Sequence, residues 1–137
     1  MDESEIPEDL FYPENDIRPF TGKCVVYYNG TEKLKEEFTY KDGVLHGPSL
    51  SYYPNGNLKI EGKYENGRFI GKWMGYFPDG EKDFEVHYRD DTLCGDYVRW
   101  YKNGVVREKG LYAANSRSGL WIEYDEAGMI VKKKNFN

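Results

Sequence analysis

Residues 71–80 read Gly71-Lys-Trp73-Met-Gly-Tyr76-Phe-Pro-Asp-Gly80. Large side chains fall at alternate places on both parities, Trp73 with Phe77 and Met74 with Tyr76, which is the two-residue period of a β-strand. Pro78-Asp-Gly80 then supplies a turn, because proline presets one backbone angle and glycine tolerates the left-handed region. The row before it has the same grammar. Gly47-Pro-Ser-Leu-Ser-Tyr-Tyr is a strand, Pro54-Asn-Gly56 a hairpin turn, and Leu58-Lys-Ile-Glu-Gly-Lys-Tyr64 an alternating return strand. Asn66-Gly67 turns the chain into the next row, as do Asp90-Asp91 and Ala114-Asn115 further on.

Rows of 24 residues align the whole chain from residue 20 without a gap. One column reads Tyr40, Tyr64, Tyr88, Tyr112, Phe136, and another Tyr28, Tyr52, Tyr76, Trp100, Tyr124. A third holds Gly47, Gly71, Gly95 and Gly119, with Gly22 one residue out of register. A fourth holds Gly56, Gly80, Gly104 and Gly128, while the first row turns at Asn29-Gly30. A fixed period of this kind marks a repeat protein. The expected fold is all-β: a single elongated antiparallel meander of about five hairpin repeats, roughly ten short strands in one open sheet. At ~4.8 Å between strands it extends ~50 Å, with no helix longer than a turn or two.

Composition agrees. The chain has 137 residues, with 13 Tyr, 7 Phe and 3 Trp, slightly more than its Ile, Leu and Val combined, and with 15 Gly. Such a chain is a poor helix former and suits turn-rich β-structure. Mean hydropathy is −0.84, and no apolar run is long enough for a spanning helix. The net charge of −5 belongs to the N-terminus: residues 1–19 hold seven acids and one base, and the remainder is nearly neutral. We therefore read 1–19 as an acidic irregular tail and 20–137 as the repeat array. Met1-Asp-Glu-Ser-Glu-Ile-Pro lacks the basic and apolar regions of a secretory signal, so a cytoplasmic location and reduced Cys24 and Cys94 are expected.

Period 2 assigns faces. Val26, Leu50, Met74, Val98 and Ile122 share one side with the Tyr28–Tyr124 column, and this is the expected packed face. The other side carries Ser49, Trp73, Tyr97 and Trp121. Rings on both sides suit an open single-layer array in which they stack from row to row.

The pattern Gly-x-(Trp/Tyr)-x-x-Tyr-(Tyr/Phe)-Pro-(Asn/Asp)-Gly, with a return strand ending Tyr-x-x-Gly-x-x-x-Gly, resembles the MORN repeat. Residues 71–80 carry it best, with 47–71 and 119–128 close behind. It is most similar to the bacterial variant found in tandem in small antitoxin-like proteins. The resemblance implies a scaffold or interaction surface. Some family arrays precede a methyltransferase or a lipid kinase; here the sequence ends after the fifth row, so neither activity is expected.

No catalytic residue, metal or cofactor is expected. His46 and His87 lie in no nucleophile–base or H-E-x-x-H pattern, and two His with two Cys in unrelated columns lack metal-ligand spacing. Asp90 and Asp91 occupy turn positions, and the glycines form no phosphate loop. Lys132-Lys133-Lys134 reads as a charged edge strand, too small for a nucleic-acid footprint.

Two readings of function remain. The favoured one is a non-enzymatic protein-binding module, by resemblance an antitoxin or immunity-type protein that neutralises a toxin partner. The alternative is a membrane-surface or lipid-associated scaffold. Specificity is expected where rows differ on one face, in the column Ser51, Gly75, Arg99 and Glu123, flanked by Tyr53, Phe77 and Tyr101. Phe77, Arg99 and Tyr101, with Trp73 and Tyr97 beneath them and Glu123 in the same column, are the expected contact residues.

Overall fold

The computed structural model describes residues 20–137, so the acidic tail read at 1–19 lies outside the described residues. These form one antiparallel sheet with no helix among them. The first hairpin pairs β1 (Gly22–Tyr27) with β2 (Leu34–Lys41), and the two-residue β3 (Val44–Leu45) folds back on β2. Then come β4 (Gly47–Tyr52) with β5 (Leu58–Glu65), and β6 (Arg68–Tyr76) with β7 (Lys82–Arg89). A second short strand, β8 (Thr92–Leu93), precedes β9 (Gly95–Trp100) and β10 (Val106–Ala113), and β11 (Ser116–Tyr124) with β12 (Ile130–Phe136) closes the array. Apart from β3 and β8, ten strands follow one another in sequence order. That is the expected meander.

The repeated columns are cross-strand partners. Each row-opening glycine faces the aromatic column: Gly22 opposite Tyr40, Gly47 opposite Tyr64, Gly71 opposite Tyr88, Gly95 opposite Tyr112 and Gly119 opposite Phe136. The first hairpin holds one more residue between these partners than the other four, so β1 is displaced by one position against the 24-residue ruler. Tyr27 therefore stands where Tyr52 and Tyr76 do, and Tyr28 where Tyr53 does. Hydroxyl bonding follows that alignment: Tyr28 donates to the carbonyl of Tyr52 (2.6 Å), Tyr53 to that of Tyr76 (2.6 Å) and Tyr101 to that of Tyr124 (2.7 Å).

The displacement corrects the face assignment. Val26 lies opposite Glu36, which lies opposite Ser51, so Cys24 and Val26 share the side of Trp73 and Trp121 and not that of Met74. Among the described residues the buried apolar side chains are Cys24, Val26, Trp73, Met74 and Trp121. Four of these five are on the tryptophan side, called here the ring face. The other, the open face, carries Leu50, Met74, Val98 and Ile122 and buries only Met74.

Rings close the ring face by sitting over glycines. The Trp73 indole covers Gly62, so close that an added Cβ there would lie 1.9 Å from it. Trp121 covers Gly110 in the same way (2.1 Å), and Phe84 covers Gly75 (2.0 Å). Tyr64, Phe69 and Tyr88 surround Trp73 at centroid distances of 5.2, 5.0 and 6.3 Å.

Two-residue turns join the rows. Both residues of Asp90-Asp91 and Ala114-Asn115 have positive φ, as do Asp42-Gly43 and Asn66-Gly67, the geometry whose twist matches that of the strands. Their second amides donate to the preceding row, for example Gly67 to Leu45 O (2.7 Å) and Asn115 to Leu93 O (3.0 Å). Ala114, at φ 49°, lacks the polar side chain that eases this conformation at Asp42, Asn66 and Asp90. Ala114→Asn should raise stability by about 0.5–1 kcal/mol, read as a higher melting temperature. No change would show that Ala114 is not strained.

Candidate interaction surface

The last two rows of the ring face differ from the two rows before them. The column that runs Glu36, Ile60 and Phe84 continues as Glu108 and Lys132. Glu108 lies opposite both Arg99 and Glu123, and Glu123 lies opposite Lys132, so four charged residues cross four strands in a line. Below that line, toward the row-joining turn, the Trp121 indole packs on Tyr97 and Tyr112 (5.2 and 5.1 Å) and donates to Leu111 O (3.0 Å). The Arg117 guanidinium lies over Trp121 and Phe136 at 4.6 and 5.6 Å, and its Nη2 is 3.9 Å from Glu108 Oε2. A small hollow of about 30 Å³ lies among Glu108, Arg117, Trp121, Glu123 and the lysines 132 and 134.

The residues expected at the contact fall into three places. Arg99, Tyr97 and Glu123 belong to this charged platform, with Arg99 exposed and the other two half-buried. Tyr101 and Phe77 stand at the hairpin ends of their rows, both half-buried. Tyr101 is pinned by its hydroxyl and by Arg107 5.5 Å from its ring; Phe77 has no hydroxyl to make the equivalent bond. Trp73 is only 8% exposed and belongs to the packing of rows two and three. Its Nε1 has no partner, unlike that of Trp121. Sequence reading missed Glu108 and Arg117 as members of the platform. The signal was the switch from apolar to charged in the column of Phe84 and Glu108, which acquires meaning only once the register shows that column facing Arg99.

Several tyrosines are held in the neutral form. Burial pushes the hydroxyls of Tyr40, Tyr52, Tyr53, Tyr64, Tyr76 and Tyr97 above the ordinary value of 10.0. At Tyr97 the neighbouring Arg99 pulls partly the other way. Tyr76 goes furthest, to about 12, by burial and by donating to the Glu61 carboxylate at 2.7 Å. A group whose pKa is raised on folding contributes stability below its unfolded pKa and loses it as pH climbs through the folded one. The melting temperature should fall between about pH 10 and pH 12 as tyrosinate absorbance develops. Full tyrosine ionisation near pH 10 without unfolding would contradict these environments.

The histidines are engaged locally. His87 Nε2 is 3.1 Å from Glu85 Oε2, and His46 Nδ1 accepts from the Asn66 amide at 3.2 Å. Among the described residues no group of three or more His, Cys, Asp or Glu is placed to hold a metal ion, and no helix is long and apolar enough to cross a membrane. Hollows of about 490 and 480 Å³ among the described residues are open depressions on the sheet.

Against known families, residues 45–66, 93–114 and 117–137 match the MORN repeat variant. The chain is a MORN-variant repeat protein. The three matched segments coincide with the second hairpin, the fourth hairpin and the fifth, so the structural repeat and the MORN unit are the same object. The MORN repeat is a non-catalytic module that binds proteins or membranes. No curated protein matches the chain.

Proposed function

We propose that this MORN array is a non-enzymatic protein-binding module of the cytoplasm, of antitoxin or immunity type, which neutralises a partner by covering it. The contact is centred on Arg99 and Glu123 of the ring-face platform, with Phe77 and Tyr101 flanking it along the hairpin ends and Tyr97 and Trp73 packed behind. The observation that carries this reading is the exposed Arg99 beside half-buried rings, at the end of a line of charged residues, Arg99, Glu108, Glu123 and Lys132, that crosses four strands of the ring face. Arginine and aromatic residues in a partly desolvated setting most often dominate interface energetics.

Affinity capture of the partner from the native host, followed by Arg99→Glu and Tyr101→Ala, tests the proposal. Each should weaken the complex at least tenfold, with the circular dichroism spectrum unchanged. Unchanged affinity with an intact fold would move the contact elsewhere.

A membrane-surface role is the second reading, favoured by exposed Lys132, Lys133 and Lys134 on the edge strand, with Arg117 nearby. Co-sedimentation with anionic vesicles that moderate salt abolishes would support it; no sedimentation leaves the protein-binding reading.

A further inference from the structure

We propose that the open face is a self-association surface, on which a second copy of the chain packs after a half-turn about an axis parallel to the strands. Among the described residues, most of the large apolar side chains left exposed share this face: Val25, Tyr27, Val44, Leu111, Leu120 and Ile130. The assignment follows from register, with Val44 opposite Lys41, Leu111 opposite Asp96 and Ile130 opposite Tyr124. They are not spread evenly. The first three belong to the start of the array and the last three to its end.

Comparison between rows shows which of them depart from the repeat. The column of Leu111 otherwise holds Thr39, Lys63, His87 and Asn135, and that of Leu120 holds Pro48, Lys72 and Asp96. Yet Leu111 and Leu120 are 40% and 51% exposed, and with Val98 and Ile122 they line an open hollow of about 480 Å³. Apolar groups that gain nothing from the fold of one chain are accounted for by a covering surface.

Charge selects what covers it. A single open-face column reads Glu37, Glu61, Glu85, Lys109 and Lys133, acidic for three rows and basic for two. A half-turn parallel to the strands lays β1 over β12, β2 over β11 and β4 over β10. Glu37 then lies between Lys109 and Lys133 of the other copy, Tyr27 meets Ile130, and Val44 meets Leu111 and Leu120. Near the axis, Glu61 and Glu85 are accompanied by Lys63, Lys72 and His87 on the same face. The other face-to-face half-turn, perpendicular to the strands, would lay each row on itself and set Glu37 against Glu37. Like charges so placed are unfavourable.

The area suffices. Ten strands at ~4.8 Å and six residues at ~3.3 Å cover about 1,000 Å² per copy, or about 2,000 Å² in all, within the range of stable interfaces. Two twisted sheets stack this way, about 10 Å apart, in aligned β-sandwiches.

Sedimentation velocity across a concentration series tests the proposal. The wild-type chain should reach twice its monomer mass, and Leu120→Asp and Lys109→Glu should each weaken association at least tenfold. Glu37→Lys should weaken it as well, and the double swap of Glu37→Lys with Lys109→Glu should restore most of the loss. Leu120 is exposed, so its variant retains the fold and keeps the test decisive where a charge variant does not. A chain monomeric at every soluble concentration overturns the proposal. So does a dimer indifferent to Leu120→Asp, or a monomer that binds anionic vesicles through the same residues.

Discussion

Gly62→Ala should destabilise the protein by about 3 kcal/mol or more, at the upper end of what overpacking costs. The added methyl would sit 1.9 Å from the Trp73 indole, where no real contact exists, so either the ring or strand β5 must move. The ring cannot tilt away cheaply, because Tyr64 and Phe69 stand at 5.2 and 5.0 Å on its flanks. Gly110→Ala should behave alike, against Trp121. Gly56→Ala is the control. Its φ is 91° and an added Cβ would meet nothing within 4 Å, so only the backbone preference is lost, about 1 kcal/mol. Denaturant unfolding of the variants settles the comparison. In a Trp73→Leu background the Gly62→Ala penalty should largely vanish, since the two residues act on one contact. Equal costs at Gly62 and Gly56 would show that the indole does not sit over β5.

Truncating Trp121 to alanine should cost about 3–5 kcal/mol, the range for a large buried ring. It removes the packing on Tyr97 and Tyr112, the cation–π contact with Arg117 and the bond to Leu111 O together. Tyr76→Ala, on the open face and half-buried, should cost clearly less. The two tryptophans also differ from each other. Trp121→Phe gives up a hydrogen bond that Trp73→Phe does not, a difference of about 1 kcal/mol. A larger loss at Tyr76 than at Trp121 would reverse the assignment of the closed face.

Much of this architecture was legible in the sequence, because a repeat states each structural requirement several times. Glycine at 47, 71, 95 and 119 and tyrosine at 40, 64, 88 and 112 recur since they are partners across every hairpin. The error in the first row came from trusting Tyr28 over Gly22 as the marker. The displaced glycine was the true register point, and following it would have put Val26 beside the tryptophans. Other features could not be read along the chain. Gly62 and Gly110 share a column with Phe38, Val86 and Lys134, so they look dispensable until the neighbouring indole is seen to occupy the space of a side chain. The charged platform joins Arg99, Glu108, Glu123 and Lys132 from four strands, a grouping set by pairing and not by proximity in sequence.

A single sheet locked on one face by rings seated over glycines has a direct readout in the glycine Hα resonances. An aromatic ring shifts protons beneath its face upfield, and Gly62, Gly75 and Gly110 lie beneath Trp73, Phe84 and Trp121, whereas a Cβ added at Gly56, Gly80 or Gly104 would meet nothing within 4 Å. The prediction is that the first three each show an Hα proton far upfield of the glycine average, and that the shift at Gly62 collapses in Trp73→Leu. Random-coil positions for all six in the folded protein would contradict it.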